Sequence, residues 1–178
     1  MNVGGGNGFY IAGLGSRLAS AELVVFELDG AARDVIAATL ARNGLSDRVR
    51  VLAAADPSGL EVACAGEGPL LVVMDVEGAE VELTDLAQVP SLGGATLLVE
   101  THDFARPGCL ELLTSRFAGS HTVRTIGTRA RTIVDFPTAL SPLLRRFAPV
   151  RCEDAVQEWR PTAQAWLLLE PRSAARVE

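Results

Sequence analysis

Two groups of residues in this 178-residue chain have the types and spacing that chemistry needs. The first is Asn2-Val3-Gly4-Gly5-Gly6-Asn7-Gly8. Glycines at 4, 6 and 8 permit a tight strand-to-helix turn and a close backbone approach to a ligand. Glu27 ends the next apolar run, where a carboxylate can accept two hydrogen bonds from the hydroxyls of a ribose. The second group is acidic and follows the later apolar runs. It comprises Asp56, then Asp75 with Glu77, then Glu100 with His102 and Asp103. An imidazole that is neutral near pH 7 suits a general base, so His102 is the candidate base, with Glu100 or Asp103 to orient it. Two other readings stay open for His102. It can be a satisfied histidine in a loop cap, or it can join Asp75, Glu77 and Glu100 around magnesium or calcium. The reading carried forward assigns no metal. Asp56-Pro57-Ser58-Gly59 also reads as an ordinary turn, and Glu80 and Glu82 read as a solvated helix start.

These residues need a scaffold, and the chain alternates strand and helix signals. Tyr10, Ile11, Leu14 and Leu18 recur at helical spacing. Residues 23–28 (LVVFEL) form a continuous apolar run, as expected of a strand buried on both faces. Asp29 can cap a helix carrying Val35, Ile36 and Leu40, and Asn43-Gly44 stops it. Further strands are expected at 49–54, 70–74, 95–99, 122–126 and 166–169, with a helix over 109–117. Residues 131–161 look irregular. This alternation predicts an open, mostly parallel α/β sheet with helices on both faces. Such sheets bind ligands beyond the carboxyl ends of their strands, which is where the glycines and acids fall.

The turn reads GxGxG rather than GxGxxG, and Phe9 stands where a nicotinamide-binding turn wants a small residue. The spacing favours S-adenosylmethionine over a dinucleotide. Residues 4–8, Phe26-Glu27, Asn43-Gly44 and Met74-Asp75-Val76-Glu77-Gly78-Ala79-Glu80 together resemble the FkbM-like group of class I S-adenosylmethionine-dependent methyltransferases. The DVEGAE run is the most specific element, and the resemblance covers roughly residues 2–103. It implies a Rossmann-like three-layer sandwich over residues 1–170, with a seven-stranded sheet of order 3-2-1-4-5-7-6, a reversed seventh strand and a loose tail at 171–178. It also implies site roles. Gly4, Gly6 and Gly8 would lie against the methionine part and the ribose. Glu27 would hold the ribose hydroxyls, with Leu28 beside the adenine and Asp56 near its amino group. Asp75 would sit close to the transferring methyl. Two positions depart from the pattern. Asn2 replaces the usual acid before the glycine turn and can still accept a hydrogen bond. Only residues 1–3 precede the glycines, so the first strand is expected to be short or truncated.

Composition sets outer limits. The chain carries 16 basic and 22 acidic residues for a net charge of −6, which argues against a partner held through nucleic-acid phosphates. Every basic residue is arginine, so lysine chemistry is excluded. No apolar run is long enough for a membrane span, and glycines rather than an apolar leader follow Met1. Cys64, Cys109 and Cys152 are odd in number, widely spaced and lack a CxxC, so they read as buried thiols in a reducing, bacterial cytoplasm. Phe136, Arg145, Arg146, Phe147 and Trp159 suit an acceptor pocket or ordinary packing. The sequence therefore predicts a methyltransferase acting on a hydroxyl of a small molecule or sugar. The rivals are a non-catalytic adenosine-ligand-binding domain and an NAD-dependent oxidoreductase; a serine hydrolase lacks its GxSxG elbow.

Overall fold

The computed structural model describes residues 1–66, 68–129, 131–137, 142–157 and 164–172. They form two compact units, one from residues 1–126 and 164–172, the other within residues 127–163.

The first unit follows the strand–helix alternation of the sequence. In chain order it contains β1 (Asn2–Val3), α1 (Phe9–Arg17), β2 (Leu23–Phe26), α2 (Gly30–Arg42), β3 (Val49–Leu52), α3 (Pro57–Cys64), β4 (Leu71–Met74), α4 (Glu80–Leu83), β5 (Thr96–Thr101), α5 (Cys109–Phe117) and β6 (His121–Gly127). Helices α6 (Pro142–Phe147) and α7 (Pro149–Asp154) belong to the second unit, and β7 (Ala165–Pro171) returns to the first. The sheet order is β3-β2-β1-β4-β5-β7-β6. The pairs from β3 across to β5 are parallel, and β7 lies antiparallel to β5, with Leu98 opposite Leu168. This is the expected order with its reversed last strand.

Strand β2 is apolar throughout because both faces are covered. Val24 and Phe26 enter a core with Val72, Met74, Leu97 and Leu113. Leu23 and Val25 point the other way and pack with Ile11, Ile36 and Leu40. The alternation of side chains along a strand divides one run between two helix layers. Strand β1 is two residues long, yet it lies between β2 and β4. Its ladder reaches beyond it: Val73 N–H donates to Met1 O at 3.0 Å, and Gly4 and Gly5 N–H groups both donate to Phe26 O at 3.0 Å.

Helix α2 has the expected punctuation. Asp29 Oδ1 accepts from Ala31 N–H at 2.9 Å, and Gly44 ends the helix at φ 66° while Leu45 N–H returns to Leu40 O. Helix α3 was not expected, because the Asp-Pro-Ser-Gly stretch reads as a turn. That stretch is the helix's N-cap and first turn: Asp56 Oδ1 accepts from Gly59 N–H at 2.6 Å, and Pro57 takes the first helical position. In the 131–161 stretch, α6 and α7 each begin at a proline, so part of a segment read as irregular is helical. Among the described residues no helix is long and apolar enough to cross a membrane.

All three cysteines are free and buried. Burial pushes the thiols of Cys64 and Cys109 up to about 11, helped by the charges of Glu61 and Glu80 respectively. Thiolate is the reactive form, so both should resist alkylation by iodoacetamide at pH 8 in the folded chain and react in urea. Modification of either at a free-thiol rate, read by mass spectrometry, would contradict this burial.

Candidate active site

The site begins with a close backbone approach. A Cβ on Gly4 would lie 1.6 Å from Asp75 O, and Gly4 has φ +81°. A Cβ on Gly5 would lie 2.6 Å from Ile36 and 2.7 Å from Val25. Gly5 falls outside the alternating-glycine reading, and its requirement comes from helix–sheet packing rather than from backbone angle. Gly8 takes φ +84° at the N-cap of α1, and Gly6 takes φ +52° with open space where a side chain would be. The turn thus lets β1 pass into α1 while keeping backbone exposed at the sheet's carboxyl edge.

Beside this turn, Glu27 accepts from Gly6 N–H and Asp29 N–H, both at 2.8 Å, one bond to each carboxylate oxygen. Arg33 donates to Glu27 O and Leu28 O at 2.8 Å and fixes the end of β2. A cleft of about 340 Å³ opens here, lined by Gly4, Glu27, Leu28, Ala54, Asp75 and Glu77 among others. Leu28 is 77% exposed. Asn2 is buried within β1 and donates through Nδ2 to Gly4 O and Val73 O, while its Oδ1 has no hydrogen-bond partner among the described residues. Asp56 follows Ala55 of this lining, and its Oδ1 accepts from Gly59 N–H in the cap of α3 and from Ser58 Oγ at 2.9 Å. Those bonds to Gly59 and Ser58 hold its pKa below the usual value.

The acids after β4 and β5 converge on one imidazole. His102 directly follows β5 and is fully buried. Its Nε2 lies 3.5 Å from Asp75 Oδ1, 3.5 Å from Glu77 Oε2 and 4.0 Å from Glu100 Oε2. Its Nδ1 is hydrogen-bonded to Glu80 Oε1. Glu80, read from sequence as part of a solvated helix start, is therefore a correction: it is fully buried and anchors the histidine. Glu82, by contrast, is half-exposed and pairs with Arg106 at 3.2 Å. The orienting carboxylate on Nδ1 is Glu80, not Glu100 or Asp103. Asp103 instead accepts from Gly108 and Leu110 N–H groups at 3.2 Å at the start of α5. Glu80 is buried together with Val81 and Leu83 of the same short helix, and no local spacing in the sequence marks it as buried.

The charges within this cluster support one another. Burial opposes the imidazolium of His102, but the hydrogen bond to Glu80 and the negative charges of Glu80, Glu77 and Asp75 outweigh it and raise the pKa. For Glu80, burial acts upward; the bonds from His102 and from the backbone N–H of Gly78 outweigh it and lower the pKa. When the ring is neutral and donates Nδ1–H to Glu80, its Nε2 lone pair faces Asp75 and Glu77; the raised pKa favours the protonated ring, with Nε2–H toward the same carboxylates. In the acceptor-pocket segment, Phe136, Arg145, Arg146 and Phe147 fall in the second unit, and Trp159 lies outside the described residues.

Comparison with known proteins is informative at the level of structure. No family model matches the sequence, and no curated protein matches it. Among solved structures, the cofactor-bound Rv0187 from MTB aligns with TM-score 0.56 at 19% identity, over 71% of this chain and 64% of that one. The O-methyltransferase TomG from Streptomyces achromogenes, involved in tomaymycin synthesis and solved in complex with SAM, aligns with TM-score 0.60 at 15% identity, over 95% and 71%. The O-methyltransferase from Bacillus cereus, in complex with SAH, aligns with TM-score 0.61 at 12% identity, over 95% and 72%. The chain thus spans under two thirds of the first of these proteins and somewhat more of the other two. The shared feature is the fold: a Rossmann-like, seven-stranded mixed sheet of the methyltransferase type.

Two substitutions test this geometry. Glu80→Ala leaves His102 buried without its partner and should cost about 3 kcal/mol in urea denaturation, whereas Glu80→Gln, which keeps the volume, should cost less. Gly4→Ala forces a methyl group against the Asp75 carbonyl at positive φ and should cost roughly 2 kcal/mol or more. Wild-type stability in Glu80→Ala would mean that the pair does not hold α4 to the end of β5.

Proposed function

We propose that this chain is an S-adenosylmethionine-dependent methyltransferase of the FkbM-like group, acting on a hydroxyl of a small molecule or sugar in a bacterial cytoplasm. The observation that carries the reading is the cleft at the carboxyl ends of β1, β2 and β4. There a glycine turn faces the ribose-type carboxylate Glu27, on a fold shared with solved methyltransferases. The residues present fit such a cofactor. Asn2 Oδ1 is a buried acceptor without a partner among the described residues, next to the turn. Gly6 leaves space at positive φ. Each oxygen of Glu27 retains acceptor capacity beyond its one backbone bond, enough for two ribose hydroxyls. Leu28, Ala54 and Ala55 offer apolar surface for a flat base.

When bound, the cofactor would supply an electrophilic sulfonium methyl. The chain's own task is then mainly to align a nucleophile with it. Asp75 and Glu77 border the cleft where an acceptor hydroxyl would approach, and Nε2 of His102 lies 3.5 Å from each. His102 would take the hydroxyl proton at Nε2, a contribution typically of 10²–10⁴-fold. Glu80 would hold the ring and balance the charge that the proton brings. Glu100, buried behind Nε2, adds to that balance. Asp56 caps α3 through Oδ1, and its Oδ2 would accept from the adenine amino group. A second reading, binding without turnover, is favoured by Asn2. It is neutral where an acid would attract the cofactor's ammonium group.

Calorimetric titration tests the assignment. S-adenosylmethionine and S-adenosylhomocysteine should bind in the micromolar range and NAD should not. Glu27→Ala should weaken binding at least about tenfold, since it removes charge-assisted bonds to two hydroxyls. Unchanged affinity in that variant would refute the ribose placement, and NAD binding would favour the oxidoreductase.

A further inference from the structure

His102 is fully buried, yet its Nε2 has no hydrogen-bond partner among the described residues. A buried polar atom of this kind is uncommon and calls for a ligand. The atom points into a group of carboxylates: one donor atom each from Asp75, Glu77 and His102 lie within 4.8 Å of one another. We propose that Asp75, Glu77 and His102 bind a divalent first-row transition cation such as Mn²⁺ or Zn²⁺, with Glu100 as a further donor.

The distances suit a cation. Ligands about 2.1 Å from a tetrahedral centre are about 3.4 Å apart. Nε2 lies 3.5 Å from Asp75 Oδ1 and 3.5 Å from Glu77 Oε2. Glu100 Oε2, at 4.0 Å, is a small side-chain adjustment further away. The supporting arrangement is also present. A histidine that ligates a metal usually donates its other N–H to a carboxylate, and Nδ1 of His102 is bonded to buried Glu80. With Nδ1 as the donor in that bond, the ring that ligates a cation presents its lone pair at Nε2. Charge points the same way. Four carboxylates gather around one imidazole, so even a protonated ring leaves the cluster negative, and a divalent ion would offset that. Glu77 adds a backbone signal: at φ 53° it is the one described non-glycine residue at positive φ, and this conformation brings its carboxylate to the cluster. An imidazole among carboxylates favours transition ions over magnesium, whose preferred ligands are oxygens.

The proposal rests on these side chains and not on methyl transfer. If both hold, the cation occupies the lone pair that would otherwise accept a proton, and acidifying the hydroxyl passes to the metal.

The test is titration of the chelator-treated full chain with Mn²⁺, reading the free ion by electron paramagnetic resonance, with Zn²⁺ as competitor. One saturable Mn²⁺ per chain, displaced by Zn²⁺, is expected. Asp75→Asn and His102→Ala should weaken it at least about tenfold. Glu77→Gln should weaken it as well, and that side chain is 72% exposed, so the variant should fold normally. Glu82→Gln, outside the cluster, should leave it unchanged. Lack of saturable uptake by the folded wild type would overturn the proposal. So would wild-type affinity in Glu77→Gln together with Asp75→Asn, or an equal loss in Glu82→Gln. A parallel titration of the metal-free chain with S-adenosylmethionine separates the two ideas. Cofactor binding without cation uptake removes only the cation site, and the converse removes only the methyltransferase reading.

Discussion

The contact on which the rest of the first unit depends is the approach of Gly4 to the carbonyl of Asp75, too close for any Cβ. Strand β1 has only two residues to pair with both its neighbours, so it must be held at its ends. At its carboxyl end, Asp75 N–H donates to Val3 O at 2.9 Å, and the chain then turns over the Asp75 carbonyl. This brings the glycine turn and the end of β4 together at one edge of the sheet. The cleft opens at that edge, where Gly4, Ala54 and Ala55 leave room between the side chains of Glu27, Leu28, Asp75 and Glu77.

From this edge the site follows by topology. Strands β2, β1, β4 and β5 are adjacent and parallel, so their carboxyl ends line up. Glu27 arrives from the end of β2, Asp75 and Glu77 from the end of β4, and Glu100 and His102 from the end of β5. Residues far apart in sequence thus become neighbours without any long-range design beyond strand order. Glu80 is the exception: it comes from the first turn of α4 rather than from a strand end, and its carboxylate meets Nδ1.

These placements also explain what could be read from the sequence. The continuous apolar strands and the glycine, asparagine and aspartate punctuation announced the sheet, because strands covered on both sides leave a strong local signal. The neighbourhood of the glycine turn and Glu27 was legible for the same reason: strand ends converge in any such sheet. Helix α3 was hidden because its N-cap and its first turn use the residues of an ordinary turn. Gly5 was hidden because its need comes from Ile36, thirty-one positions later by numbering. Glu80 was misread because local sequence marks an acid near a helix start as solvated, and only tertiary packing buries it.

The buried Glu80–His102 pair deserves comparison with its alternatives. A pair of this kind stabilises a fold poorly relative to well-packed apolar side chains, since desolvation offsets much of the attraction. Leu92, Leu97 and Leu113 show that this core has apolar side chains available for such duty. A pair kept purely for stability would also have both ring nitrogens satisfied, whereas Nε2 is left facing Asp75 and Glu77 beside an open cleft. The arrangement makes sense when Glu80 is understood as fixing the ring and Nε2 as the working atom. Proton acceptance and metal ligation both use that one lone pair, so the same anchored ring underlies either chemistry, and the identity of what meets Nε2 decides between them.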